Sequence, residues 1–281
     1  MLGIIGGTGL YRMDELQLIE TRSIDTPFGA PSAPLMLGSL RGTPVAFLAR
    51  HGLHHELLPS EINFRANIWA LKSVGVRTLL SVSAVGSLRS ELRVGELVLP
   101  DQYIDFTKGV RAASYFGRGL VGHVSSARPT CEVTAQFIVH AAATLGLTLH
   151  VNRAYACIEG PRFGTRAESF FLREAGAGVV GMTNVPEAFL ACEAQLSYCT
   201  IAIVTDYDCW MDDPREHVTT EQALQLFRAN LAKVQQLIAA VVESYREDES
   251  RPARHRLSGA LITPRGQMTP EQQAIADFLT L

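Results

Sequence analysis

Residues 181–210 read GMTNVPEAFLACEAQLSYCTIAIVTDYDCW, and this stretch decides the fold class. The apolar pair Val179 and Val180 leads into it and stops at Met182-Thr183, and a second apolar run at 198–204 stops at Thr205-Asp206-Tyr207-Asp208. A helix-length segment joins the two, which gives a strand, crossover helix, strand unit. In open α/β sheets ligands bind beyond the carboxyl ends of the strands, so Thr183, Asp206 and Asp208 stand where chemistry is expected. The two acids occupy alternate positions, so both carboxylates can point into one cavity; a turn or helix cap is the competing role.

Working outward, further apolar runs occur at 3–5, 45–49, 78–82, 97–100 and 154–158. They are rich in Val, Ile and Leu without alternation, as strands buried on both faces are. Ser60 is placed as the N-cap of a helix through Lys72, with Ile62, Ala66, Trp69 and Leu71 on one side. After Thr220, Leu224, Phe227, Leu231, Val234, Leu237 and Val241 recur at three- and four-residue steps, the stripe of a long helix packed on the core. No internal repeat or low-complexity segment divides the chain, so residues 1–245 are expected to form one α/β domain. A polar hinge, REDESRPARHR at 246–256, then opens a 246–281 extension. There Thr269-Pro270-Glu271-Gln272 predicts a short helix, with Thr as N-cap, Pro at the first position and Gln completing a capping box. The extension is expected to pack on the same domain or on a neighbouring subunit.

The 281 residues are 47% hydrophobic and 19% charged, an ordinary globular composition. A net charge of −3 and a pI near 6.2 leave no basic stripe for nucleic acid and no polybasic membrane patch, which points to a small solute as partner. Met1 is followed at once by a strand, without a charged leader or a long apolar run, so a cytoplasmic location is expected. Cys131, Cys157, Cys192, Cys199 and Cys209 lack CxxC spacing and read as small buried hydrophobes rather than as zinc ligands or a dithiol.

Gly6-Gly7-Thr8-Gly9 follows the first strand, so bare amides and the Thr8 hydroxyl can face an anion; a tight turn is the competing role. The run lacks the full GxGxxG, and Tyr11-Arg12-Met13-Asp14 interrupts the helix entry, which argues against a dinucleotide fold. Arg50-His51 ends the second strand and Ser83-Ala84 the third, with Gly86 allowing a sharp turn. Brought together with Thr183, these ends would offer a guanidinium fork, an imidazole and two hydroxyls, the crowd of donors that a phosphate needs. His51, His54 and His55 form HxxHH, but the turn-forming Gly52 argues against a metal site, and no metal is expected. At the other end, a paired acid can accept from an exocyclic amine or, when protonated, donate to a ring nitrogen, the two features adenine presents.

IIGGTGL at 4–10, LARHG at 48–52, IEGPRF at 158–163, GMTNVPEA at 181–188 and TDYDCW at 205–210 together closely resemble the methylthioadenosine phosphorylases of the trimeric purine nucleoside phosphorylase family, over about 2–235. The resemblance implies a central mixed, mostly parallel β-sheet flanked by helices, a homotrimer, and phosphorolysis of 5′-methylthioadenosine to adenine and 5-methylthioribose 1-phosphate, with inorganic phosphate as co-substrate and no cofactor. It assigns Thr8, Arg50, His51, Ser83, Ala84 and Thr183 to phosphate, His55 and Met182 to the sugar, Phe163 to the face of the base, and Asp206 with Asp208 to its edge, Asp206 as proton donor. Members acting on 6-oxopurines have Asn in place of Asp206 and Glu in place of Gly164, so this chain resembles the 6-aminopurine branch. Thr220, Ala223 and Leu224 align with the 5′ pocket, where Thr220 is expected to cap its own helix, and His123 aligns with a residue supplied by the neighbouring subunit. Asn184 departs from the Thr common in animal members. A broader purine nucleoside phosphorylase acting on adenosine, inosine or methylthioinosine, a nucleosidase using water, a nicotinamide dehydrogenase and a non-catalytic nucleoside-binding module are the alternatives.

Overall fold

The apolar runs form strands that assemble on β5 (Thr78–Ser87), whose residues are buried with a single exception. The computed structural model describes all residues except 8, 11, 12, 14, 214–218 and 249. β1 (Leu2–Gly6) lies parallel between β4 (Thr43–Ala49) and β5. β2 (Leu16–Arg22) and β3 (Leu35–Leu40) extend that side as an antiparallel margin. On the other side are β6 (Leu97–Phe106), β7 (Leu149–Ile158), β8 (Ala177–Gly181) and β9 (Ser197–Asp206). The nine-stranded order is β2-β3-β4-β1-β5-β8-β7-β6-β9, and β9 pairs again with β5. The sheet is mixed and mostly parallel, as expected, but β5, β8, β7, β6 and β9 close into a ring.

Ring closure corrects the opening unit. β8 and β9 are not parallel neighbours; each pairs with β5, β8 antiparallel over Gly86↔Val180 and Ser87↔Val179, β9 parallel along nearly the whole strand. The joining helix, α4 (Asn184–Glu193), therefore spans a strand that lies between them. What survives is the position of the strand ends.

Helices cover both faces. α1 (Phe64–Ser73), α4 and α6 (Pro270–Thr280) enclose one apolar cluster that includes Phe64, Ile68, Leu190, Ile275 and Leu279. α2 (Glu132–Thr144) and α5 (Thr220–Ser244) enclose the other, with Ile138, Val234, Leu237 and Val241 against Leu80 and Ile201. α3 (Arg166–Glu174) packs Leu172 against the ring. The α1 cap is Asn63 rather than Ser60: its Oδ1 accepts from Ala66 N–H at 3.2 Å while its Nδ2 donates to the Phe28 carbonyl at 2.7 Å, which locks the amide in place. Thr269 and Gln272 form the capping box predicted for α6, and Phe278 stacks on Trp69 with ring centroids 3.6 Å apart.

Candidate active site

The carboxyl ends of β1, β4, β5, β8 and β9 open into a cavity of about 1170 Å³. Ala84 is the one exposed residue of β5, because its face of the strand looks into that space. Ser83 next to it has its Oγ 3.2 Å from the Tyr155 hydroxyl and 3.4 Å from Thr183 Oγ1. Thr183 occupies the N-cap position of α4, yet its hydroxyl makes no cap hydrogen bond and turns instead to the Ser83 side of the cavity. Gly7 and Gly9 line the same end; Thr8 lies outside the described residues.

His51 faces the cavity with a defined tautomer. Its Nδ1 lies 2.9 Å from the Leu57 carbonyl, which can only accept, so Nδ1 carries the proton and Nε2 is the open nitrogen. Burial pushes its pKa down to about 4, so the free ring is neutral near pH 7. His55, held at φ 62, stacks on it at 4.4 Å.

Arg50 departs from the expectation. Its guanidinium is buried and forms a fork on Glu187, Nε to Oε2 at 2.6 Å and Nη2 to Oε1 at 3.0 Å, with further bonds to the Val82 carbonyl and Ser81 Oγ. The bidentate contact predicted for phosphate is thus made to a carboxylate. Glu187 also accepts from Ser81 Oγ and Tyr198 Oη, both at 2.8 Å, so the pair is saturated with donors. Sequence reasoning missed Glu187. The available signal was a lone acid in the apolar helix PEAFLAC, since a buried charge demands a partner.

At the opposite end β9 stops at Asp206. Asp208 lies past the strand in the left-handed region, at φ 54, so strand alternation does not bring the two acids together. Instead the Asp208 N–H donates to Asp206 Oδ1 at 2.7 Å, and Thr205 Oγ1 donates to Oδ2 at 2.8 Å. Burial is the main influence on Asp206 and raises its pKa above the ordinary value, with Asp208 acting in the same direction. Gly86 makes this approach possible, since a Cβ there would sit 2.8 Å from Asp206 Oδ1. A Cβ on Gly164 would point toward Asp208 Oδ2 and Glu168 Oε2, at 4.0 and 3.9 Å, so an acid at 164 would face two others. Phe163 is 38% exposed and lines the cavity, which excludes an ordinary core role.

Met182 lines the middle of the cavity. The first turns of α5 bring Thr220, Ala223, Leu224, Phe227 and Leu231 to the remaining wall, so only the later part of the predicted stripe is buried in the core. The expected cap is displaced by one residue: Thr219, with extended φ/ψ, accepts from the Gln222 N–H at 3.3 Å, and Thr220 is the first helical residue. Thr220 therefore presents its side chain to the cavity. His123 is exposed, bonded through its N–H to the Ala260 carbonyl, and is not brought to the cavity by its own chain. Among the described residues no group of three His, Cys, Asp or Glu could hold a metal, and no helix is long and apolar enough to cross a membrane.

A family model described as the phosphorylase superfamily matches residues 1–244. The chain is 42% identical over 279 residues to an S-methyl-5′-thioadenosine phosphorylase of Geobacter sulfurreducens, covering 99% of this chain and 97% of that one. It is 48% identical over 267 residues to a Synechocystis protein of the same name, covering 94% and 81%. Among solved structures it is similar to a methylthioadenosine phosphorylase from an Antarctic soil metagenomic library, with a TM-score of 0.92, 44% identity and 99% and 98% coverage. A Schistosoma mansoni methylthioadenosine phosphorylase in complex with adenine follows at a TM-score of 0.88, 35% identity and 92% and 98% coverage.

Proposed function

The chain belongs to the phosphorylase superfamily, and on that premise we propose that it is a pentosyltransferase that cleaves the N-glycosidic bond of 5′-methylthioadenosine with inorganic phosphate, giving adenine and 5-methylthioribose 1-phosphate. One observation carries this: a carboxyl whose burial raises its pKa stands at one end of a cavity whose other end gathers Ser83, Thr183 and His51. Bond cleavage places positive charge on the ribose and negative charge on the departing purine, so an anion beside the sugar and a proton at N7 both stabilise the transition state. Asp206 supplies that proton, Asp208 orients it, and Phe163 packs on the base. The His51 ring, Ser83, Ala84 and Thr183 surround the phosphate, and the family resemblance adds Thr8 to them. Arg50 lines the phosphate end and holds β4 to α4 through Glu187.

Adenosine is a second substrate on one specific ground, the Thr220 hydroxyl at the 5′ wall, which can pair with a 5′-OH. Residues 1–245 form the catalytic unit and 246–281 an extension of it. The working form is a cytoplasmic homotrimer in which His123 of a neighbouring subunit closes the 5′ pocket. Base release from methylthioadenosine, adenosine and methylthioinosine, with and without phosphate, tests the assignment. Phosphate-dependent release of adenine is expected. Equal release in water alone would make it a hydrolase, and binding without release a nucleoside-binding module.

A further inference from the structure

We propose that Arg111 is the positioning residue that locks the phosphate-side and base-side loops of the cavity into one unit. Arg111 follows β6 and is buried without lining the cavity. Its Nη1 donates to the Met182 carbonyl at 2.8 Å and the Val185 carbonyl at 2.6 Å, bracketing the turn that presents Thr183. Its Nη2 donates to the Glu159 carbonyl at 2.7 Å, and Nε to Glu159 Oε1 at 2.6 Å, at the start of the loop that carries Phe163. Glu159 Oε2 in turn accepts the Lys108 N–H at 2.8 Å, which fixes the Arg111 loop itself. The guanidinium carbon lies 5.5 Å from the centre of the Phe64 ring, so α1 backs the cation.

One planar group therefore bonds two loops that between them meet both ligands: Thr183 the phosphate and Met182 the sugar on one, Phe163 the base on the other. A guanidinium reaches both sides because its donors diverge in a fixed fork; a lysine ammonium offers its donors from a single point. Each ligand orders the loop it touches, and the shared cation passes that order to the other loop. The second ligand then binds a site already set, which is positive coupling between the two. This role presupposes phosphorolysis of a purine nucleoside.

The test uses the full-length protein, Arg111→Lys and Glu159→Gln. Phosphate-dependent adenine release by the wild type reports on the underlying activity independently of the variants. Adenine is then titrated calorimetrically with and without saturating inorganic phosphate. The wild type is expected to bind adenine several-fold more tightly with phosphate present. Arg111→Lys should reduce this enhancement to less than twofold and lower kcat/KM at least tenfold, with KM raised for both substrates. Glu159→Gln, which keeps the side chain's size and its contact with Lys108, should show an intermediate loss; if Arg111→Lys does not fold, it decides alone. Enhancement and kcat/KM both within twofold of wild type would overturn the proposal. So would a lowered unfolding temperature with the enhancement intact, or a wild type with no enhancement.

Discussion

Replacing Asp206 by Asn separates proton donation from hydrogen bonding, because the surroundings fix how the amide must lie. The Asp208 N–H, 2.7 Å from Oδ1, admits only an acceptor, so the amide oxygen takes that place. The amide nitrogen then faces Thr205 Oγ1, which can accept because its own proton can go to the Val85 carbonyl at 3.3 Å. One N–H remains for the base. The variant keeps a neutral donor at the purine edge and loses the transferable proton, a loss worth about 10²-fold in rate, or about 2.7 kcal/mol. An amide also tolerates an oxygen at purine position six. The ratio of kcat/KM for methylthioadenosine to that for methylthioinosine should therefore fall at least about tenfold in parallel assays of phosphate-dependent base release. Since burial raises the Asp206 pKa and the acid form is the active one, wild-type kcat/KM should decline as pH rises through that pKa, a limb that Asp206→Asn should lack. An unchanged substrate ratio, or the same descending limb in the variant, would refute the role of Asp206.

Glu187→Gln should destabilise the protein by about 3–5 kcal/mol in urea unfolding, because it leaves the Arg50 cation buried without its counter-charge; a change below about 1 kcal/mol would show the pair to be dispensable. Arg50→Ala should act in the same way and so report on folding rather than on phosphate affinity alone. Thr219→Ala should cost about 1 kcal/mol as a lost N-cap, while Thr220→Val should leave stability nearly unchanged and raise the preference for methylthioadenosine over adenosine in competition assays. With its pKa near 4 when folded and 6.5 otherwise, His51 binds a proton only in the unfolded chain between those values. Stability should accordingly rise with pH across that window, by up to about 3 kcal/mol, and thermal unfolding of His51→Gln should show a flatter profile.

Most strand positions were legible because buried strands are written as short runs rich in apolar residues without alternation, as at 198–204 and 78–82. β2 and β3 were not read: β2 is almost wholly exposed at the sheet margin and carries no burial pattern, and the apolar run of β3 is broken by Gly38 and Ser39. Ring closure was equally hidden: it depends on which strands pair with β5, a long-range matter that periodicity does not encode. In the site, the cavity gathers Arg50, His51, Thr183, Phe163, Asp206 and Asp208 at or beyond strand ends, whereas Ser83 and Ala84, expected to end their strand, lie inside β5, which continues to Ser87. Arg50 lines the cavity yet spends its fork on Glu187, a partner the sequence did not announce because a guanidinium at a strand end satisfies phosphate and carboxylate equally well. Thr219 and Thr220 differ by a single backbone conformation, which two adjacent threonines cannot announce.

β5 is held on both edges, by β1 along its first half, by β9 along nearly its whole length and by β8 at its end. A shift of one residue would turn Ser83 and Ala84 to opposite faces, and it would have to break all three ladders at once. The Ser83–Ala84 wall of the cavity is consequently closed to gradual remodelling. The base and 5′ ends are built instead from the segments around Phe163, Asp208 and Thr220, which belong to no ladder. Substitutions in those segments can reshape their part of the cavity without breaking a ladder, whereas Ser83 and Ala84 move only if three ladders move with them.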